Sequence, residues 1–529
     1  MANHTRAARS EWTPPAAWFL LAVGAWLACL AWIRPLTLPD EGRYAGVAWD
    51  MLRSGSHAVP LLDGMPYFHK PPLYYWLTEL SFSVFGVHPW AARAPSWLAA
   101  WGAASALYGF VRRYRDAAAA TLTVLILSTM PFFYGGAQFA NLDMLVAGLI
   151  TLCVLAAAHT VLRAERGQAH RWMSVAAALL AALAVLAKGL IGVALPGAIL
   201  LAWLAWGRRW RGLRALLWPP ALLVFLAAAA PWFALMQLRY PGFYDYFFVY
   251  QHFQRFAAAG FNNAQPFWFY LPVVAGLSLP WSLWGGGILR RAFWAEGPAR
   301  DLRRLAVAWF VVVVAFFSLP HSKLIGYALP ALAPLAFLLA EVILAAWRAD
   351  ADTVTPRLAG IGAAVAAGVC VVAVGVAAGN ARGSAAPLAK AVRAQARPSD
   401  TFVSLHAYPF DLALYARAPR PAWVVDDWLN PEVTARDNWR KELHDAAKFD
   451  PATGREVLIS AAQFNARLCA APEGARFWVW GRHADGAVYA PLQGLQPEAG
   501  GVVNAVWRVE ANAALRQRVC GGTPTAGWR

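Results

Sequence analysis

The sequence predicts an α-helical polytopic membrane protein of about eleven to thirteen transmembrane helices, followed by a C-terminal soluble α/β domain. Three observations lead there. Of 529 residues, 59% are hydrophobic and only 14% charged, too few charges to solvate the surface of a soluble protein. Apolar runs of roughly bilayer-spanning length, about 20 residues, recur from Trp18 to Ala378. Beyond Gly379 the composition turns small, basic and proline-containing through Arg382–Asp400, which divides the chain into a membrane domain at 1–380 and a soluble domain at 381–529.

The first run, Trp18–Ile33, follows the basic residues Arg6 and Arg9. No small-residue cleavage site comes after it, so it reads as a retained span rather than a signal peptide. Further runs lie near Trp90–Phe110, Ala117–Tyr134, Leu142–Leu162, Trp172–Ala187, Leu190–Trp206, Leu213–Leu238, Phe267–Leu289, Leu305–Leu319, Tyr327–Trp347 and Leu358–Ala378. A shorter run, Leu73–Val87, is interrupted by Glu79 and reads as an interfacial helix or an additional crossing. Alternate connections carry arginine clusters: Arg112, Arg113 and Arg115; Arg163, Arg166 and Arg171; Arg208, Arg209, Arg211 and Arg214; Arg290, Arg291, Arg300, Arg303 and Arg304; Arg348 and Arg357. Positive loops stay in the cytoplasm, so the other connections and everything after Asn380 face outward. The net charge of +17 therefore reports topology in a lipid bilayer. Broken into short clusters instead of one basic patch, it argues against nucleic acid as a partner.

In the soluble domain, Thr401–Leu405, Trp423–Asp426, Glu456–Ser460 and Phe477–Trp480 read as strands, and Phe410–Ala416, Asn438–Lys448 and Ala461–Leu468 as helices. It holds no zinc-ligand spacing, nucleophile elbow or phosphate-binding glycine loop. Cys29, Cys153 and Cys370 fall in apolar spans, where buried thiols are ordinary packing residues. Cys469 and Cys520 lie in the outward domain, where a disulfide can persist; spacing leaves open whether they are linked or stay free thiols.

The outward loops hold the chemistry. Asp40 and Glu41 stand immediately beyond the first span; adjacent carboxylates suit general-base or metal work, and equally the acidic start of a solvated helix. The stretch Tyr44–Leu52 is amphipathic, with Ala45, Val47, Ala48, Met51 and Leu52 on one face, which predicts a helix lying along the membrane surface. In Tyr67-Phe68-His69-Lys70-Pro71-Pro72 two prolines fix the backbone where Lys70 is presented, either to snorkel or to hold a phosphate. Asp143 and Lys188 sit at the outer ends of apolar runs, where ionisable groups are usually paired or functional. Gln251-His252-Phe253-Gln254-Arg255-Phe256 puts His252 and Arg255 at helical spacing. Arg255 can donate two bonds to a phosphate, His252 one bond or a metal ligand, and surface decoration is the plain alternative. His321, Ser322, Lys323 and Tyr327 form a last cluster, whose plain role is interfacial anchoring. Carboxylates, cations and aromatic rings on one membrane face suit a polyprenyl phosphate carrying a sugar.

Several of these segments resemble the GT-C glycosyltransferases, in particular the lipid A aminoarabinose transferase and protein mannosyltransferase families. The resemblance is ordered and covers most of the chain. It is carried by DEGRYAGVAWDMLRSGSHAVPLLDGMPYFHKPPLYYW at Asp40–Trp76, NLDM at Asn141–Met144, QHFQRF at Gln251–Phe256 and SKLIGYALP at Ser322–Pro330. In the soluble domain LHAYPFDLALYARAP at Leu405–Pro419 and DNWRKEL at Asp437–Leu443 are also similar. The resemblance implies inverting transfer of a sugar such as 4-amino-4-deoxy-L-arabinose from undecaprenyl phosphate to a periplasmic acceptor, lipid A phosphate favoured, at a bacterial inner membrane. It implies Asp40, with Glu41 in the same acidic motif, and Asp143 as catalytic carboxylates, and Lys70, Lys188, Arg255 and Tyr327 as donor-phosphate residues. The family commonly has a glutamate before the lysine of its KPP motif, where this chain has His69; a divalent metal such as zinc, if bound, would then use His69 with His252. Transfer to a protein hydroxyl or another envelope glycan is the alternative within the class. A lipid or sugar transporter is the alternative outside it, disfavoured because the polar groups gather in loops on one face rather than at broken spans at the midplane.

Overall fold

The computed structural model describes residues 15–254, 263–297, 299–349, 354–380, 384–435 and 437–520, without the side chains of 252–254. Every expected apolar run carries a helix. Among the described residues, five helices are individually long and apolar enough to cross a bilayer: Leu142–Glu165, Arg171–Lys188, Pro219–Arg239, Ile325–Ala349 and Val354–Gly379. Ala117–Thr129 and Pro131–Ala137, bent by 70°, make a sixth if they are one span. The bend has a local cause: a residue before proline is driven out of the α region, and Met130 is extended at ψ 122°. The run at Phe267–Leu289 is likewise split, into the helix Tyr270–Leu277 and a 3-10 segment Trp281–Leu289, with Pro280 and three glycines at 285–287 breaking the α-helical register.

Two compact units result. The first comprises Met1–Ala31, Pro95–Phe233 and Asn263–Val376 and holds the spanning helices. In it, arginines read from sequence as topology markers also join helices. The carboxylate of Glu341, 2% exposed, accepts from Arg115 Nε at 3.1 Å and from Arg303 Nη2 at 2.6 Å. Asp116 caps Ala117–Thr129 through Ala119 N at 2.7 Å and pairs with Arg348 at 3.1 Å.

The second unit comprises Trp32–Ala94, Ala234–Asn262 and Ala377–Arg529. Its first-loop hairpin pairs β1 (Leu61–Leu62) with β2 (Met65–Pro66) across Asp63-Gly64, both at positive φ, the turn chemistry Asp-Gly favours. A six-stranded sheet follows: β3 (Thr401–Leu405), β4 (Trp423–Val425), β5 (Leu458–Ile459), β6 (Arg476–Arg482), β7 (Ala499–Gly500) and β8 (Asn504–Glu510), in the order β5-β4-β3-β6-β8-β7. β3 to β6 are parallel and β8 runs antiparallel to β6 and β7. Both faces are buried: Val403, Val425, Val479 and Trp507 pack on one side, Phe402, Trp478, Trp480 and Val506 on the other. Parallel strands covered twice read as continuous apolar runs, which is why they were visible in the sequence. The strand expected at Glu456–Ser460 shrinks to β5, because Asp450 caps a helix at Pro451–Val457 that runs into it; Asp followed by proline is a helix start. Cys469 and Cys520, at the ends of two neighbouring helices, are disulfide-bonded with Cα atoms 5.8 Å apart. Closing a loop of 51 residues restricts the unfolded chain by about 4 kcal/mol on a chain-entropy view.

The amphipathic helix of the first loop spans Asp40–Ser54, but its apolar face is not laid on a membrane. Ala45, Val47, Ala48 and Met51 are each 0% exposed. Tyr44 packs on Tyr74 and Tyr75 of the helix Leu73–Phe85, at ring separations of 5.5 and 6.0 Å. On another side, a Cβ at Gly46 would stand 2.6 Å from the carbonyl oxygen of Phe410; only glycine permits that approach. Glu79, the charge inside the short apolar run, is paired with His57 Nδ1 at 2.5 Å.

Candidate functional site

The helix Asp40–Ser54 separates the two adjacent acids. Glu41 points into the unit and is fully buried. Arg93 grips it with Nε on Oε1 at 2.8 Å and Nη2 on Oε2 at 3.0 Å, Arg34 adds a second ion pair, and Thr37 N donates at 2.9 Å. Burial alone would raise its pKa; Arg93 and then Arg34 outweigh that and hold it at about 2. A carboxylate so enclosed anchors the helix start, against the expectation of a catalytic pair.

Asp40 is the accessible one, its side chain 45% exposed. Its Oδ1 accepts from Arg43 Nη2 at 2.6 Å. The other arm of the same guanidinium, Nη1, donates to Glu442 Oε1, and Tyr67 OH donates to Glu442 Oε2 at 2.9 Å. Burial works against the Arg43 charge, but Glu442 and Asp40 prevail and its pKa is raised. Glu442, on the helix Trp439–Ala447, was not singled out from sequence; its signal lay in the DNWRKEL segment, which contains it.

Lys70 is half-buried at the turn before Leu73–Phe85. His69 is buried and stacks on Tyr67 at 4.6 Å. His252 lies on a π-helical segment, Asp245–Gln254; its side chain and the whole of Arg255 lie outside the described residues. Among the described residues, no three His, Cys, Asp or Glu side chains are placed to hold a metal ion.

In the other unit, three sequence-named residues from distant segments converge. Asp143 begins Leu142–Glu165, whose N-cap Asn141 accepts from Asp143 N. Lys188 ends Arg171–Lys188 and forms an ion pair with Asp143; the two side chains are 10% and 13% exposed. Lys188 Nζ stands 4.1 Å from the ring centroid of Tyr327, within cation–π range. The approach depends on the residue before the tyrosine: a Cβ at Gly326 would lie 2.4 Å from Asp143 Oδ2. Lys323, expected as an interfacial anchor, is instead 4% exposed with its ammonium on the carbonyls of Gln265 and Pro320.

A multi-helix membrane fold joined to a mixed sheet, with paired carboxylates and cations in its loops, defines the class as a polytopic membrane protein with a soluble α/β domain. The particular likeness is to ArnT. The structure of ArnT from Cupriavidus metallidurans bound to undecaprenyl phosphate superposes with a TM-score of 0.78 at 23% identity, covering 96% of this chain and 99% of that one, which establishes the fold. In sequence the chain is 35% identical over 315 residues to the undecaprenyl phosphate-alpha-4-amino-4-deoxy-L-arabinose arabinosyl transferase of Erwinia tasmaniensis, covering 58% of this chain and 56% of that protein. It is 33% identical over 313 residues to the protein of the same name from Pseudomonas aeruginosa, again covering 58% and 56%. The chain thus spans a little over half the length of these curated relatives, 56%. Residues 69–234 match the dolichyl-phosphate-mannose-protein mannosyltransferase family.

Proposed function

We propose that the chain is an inverting glycosyltransferase that moves a sugar of the 4-amino-4-deoxy-L-arabinose type from undecaprenyl phosphate to an extracytoplasmic acceptor, with lipid A phosphate favoured. The observation that carries the reading is Asp40: an accessible carboxylate held by a part-buried arginine, in a segment that resembles the aminoarabinose transferase family. In such a transfer the acceptor oxygen attacks the anomeric carbon while the bond to the donor phosphate breaks, so negative charge builds on the departing phosphate. Positioned cations stabilise that charge. The resemblance assigns Lys70 and Arg255 to the donor phosphate. Within the membrane unit, Lys188, paired with Asp143 and lying over the Tyr327 ring, is a further candidate cation.

Purified protein in liposomes, given radiolabelled undecaprenyl-phosphate sugar and a defined lipid A acceptor, is expected to transfer label; no transfer to any phosphate or hydroxyl acceptor rejects the reading. Lys70→Ala and Arg255→Ala should each weaken donor binding by about tenfold to a hundredfold, the worth of one charge-assisted hydrogen bond. Arg255→Lys should recover charge without the planar fork. Unchanged affinity for polyprenyl phosphate in both alanine variants removes them from the site.

The arginine distribution supports an outward placement of Asp40, Lys70 and the sheet domain. Single cysteines introduced beside these positions should react with an impermeant thiol reagent in intact spheroplasts. Labelling beside Arg209, with protection of the sheet domain, inverts the topology.

A further inference from the structure

We propose that Glu442, contributed by the soluble portion of the chain, is a positioning residue for Asp40, acting through Arg43. The inference rests on the transferase reading and assigns the sheet domain a part in it.

Arg43 is one planar group shared between two carboxylates. Nη2 meets Asp40 Oδ1 at 2.6 Å and Nη1 meets Glu442 Oε1. The Glu442 side chain is 7% exposed and that of Asp40 45%, so the buried acid fixes the guanidinium and the accessible one is fixed by it. The remaining oxygen of Glu442 is taken by Tyr67 OH, which prevents the carboxylate from rotating away. The plane of Arg43 is restrained further by the rings of Tyr44 and Phe410, whose centroids lie 5.6 and 5.8 Å from its Cζ. Glu442 itself is held by its helix, whose N-cap Asn438 accepts from Arg440 N and Lys441 N.

This arrangement makes the orientation of Asp40 depend on a helix some 400 residues further along the chain, 399 positions from Arg43. Without Glu442, Arg43 keeps Asp40 as its only carboxylate among the described residues and is free to swing toward solvent with it. The carboxylate then loses its preset direction, which matters for a step whose rate depends on alignment. A lysine at position 43 would keep the charge, but its single nitrogen does not reproduce two divergent donors in one plane.

The test uses the full-length protein in liposomes. Glu442→Gln keeps the shape and the Tyr67 contact while removing the charge. It is expected to lower kcat by about tenfold to a hundredfold with donor KM within about twofold, and Arg43→Lys is expected to do the same. The decisive readout is a double-variant cycle. If Glu442 acts through Asp40, Glu442→Gln combined with Asp40→Asn should be no slower than Asp40→Asn alone, because coupled residues are non-additive. Glu442→Asp should recover part of the rate. Multiplicative losses in the double variant, or wild-type kcat in Glu442→Gln, overturn the proposal. Equal thermal melting of Glu442→Gln and wild type excludes a purely structural loss; a lowered melting point with unchanged specific activity of the folded fraction also overturns it. An inactive wild type rejects the transferase reading instead, so the two failures are distinguishable.

Discussion

Asp40→Asn is expected to reduce sugar transfer by about 10² to 10⁴ if the acceptor is a hydroxyl, the usual worth of a general base, while donor binding stays near wild type. An alcohol must lose its proton as it attacks. A phosphate monoester, with a second pKa near 6, is already largely dianionic at neutral pH and hardly needs a base. With lipid A phosphate as acceptor, Asp40 acts by orienting groups and by stabilising positive charge on the sugar, and its effect should then persist as acceptor ionisation is varied. The geometry fits either role: the carboxylate is accessible, and one oxygen is held by Arg43 at 2.6 Å. The measurement is turnover of wild type and Asp40→Asn from pH 5 to 8 with saturating donor and a defined acceptor. A variant-to-wild-type ratio that stays constant across the ionisation of a phosphate acceptor supports orientation. A ratio that worsens only with a hydroxyl acceptor supports a base. Equal activity of the two proteins with both acceptors removes Asp40 from the site.

The features legible in the sequence share one property: each is local. Apolar run length, the arginine alternation and the buried strands β3, β4 and β6 depend on residues within one segment, and these were read directly. The helix at Asp40–Ser54 was also visible, but its surroundings were not. Amphipathicity says that Ala45, Val47 and Met51 need an apolar partner and cannot say whether that partner is lipid or protein; the answer lies in Gly46 against Phe410, far away in sequence. Long-range pairing also divided the two adjacent acids. Asp40 and Glu41 are equivalent on paper, and it is Arg93, 52 residues on, together with Arg34 that makes the second a structural group. The cluster of Asp143, Lys188 and Tyr327 was foreseen as residues and not as one contact. Its geometric requirement, a missing side chain at Gly326, lies in the same short segment as Tyr327 and is recognisable only with the fold in hand. Glu442 was missed because the soluble domain carries no catalytic signature of its own, and its charge works on a residue of another loop.

The neighbouring acid should behave in the opposite way to Asp40. Glu41→Gln removes a carboxylate that pairs with both Arg34 and Arg93, whose residues are 7% and 1% exposed, and so leaves two buried guanidiniums beside one another without that anion. Breaking a buried pair from one side typically costs about 3 to 5 kcal/mol, because the remaining charge keeps its desolvation penalty without its counter-charge. Arg93 retains bonds to the carbonyls of Arg34 and Pro35 at 3.0 and 2.9 Å, and Arg34 retains Thr37 Oγ1 at 3.0 Å, which places the expected loss at the lower end of that range. The pH dependence has a definite sign. Because the folded pKa of Glu41 is depressed to about 2, its contribution is fully present above the ordinary carboxylate value near 4.5 and is lost as pH falls from there towards 2. Detergent-solubilised wild type should therefore melt well above Glu41→Gln at pH 7, and the gap should narrow steadily on acidification through that window. Transfer per folded molecule should change far less than stability does, since the carboxylate has no exposed surface through which to meet a substrate. A Glu41→Gln protein that melts like wild type and transfers no sugar would return Glu41 to the catalytic role its position beside Asp40 suggests.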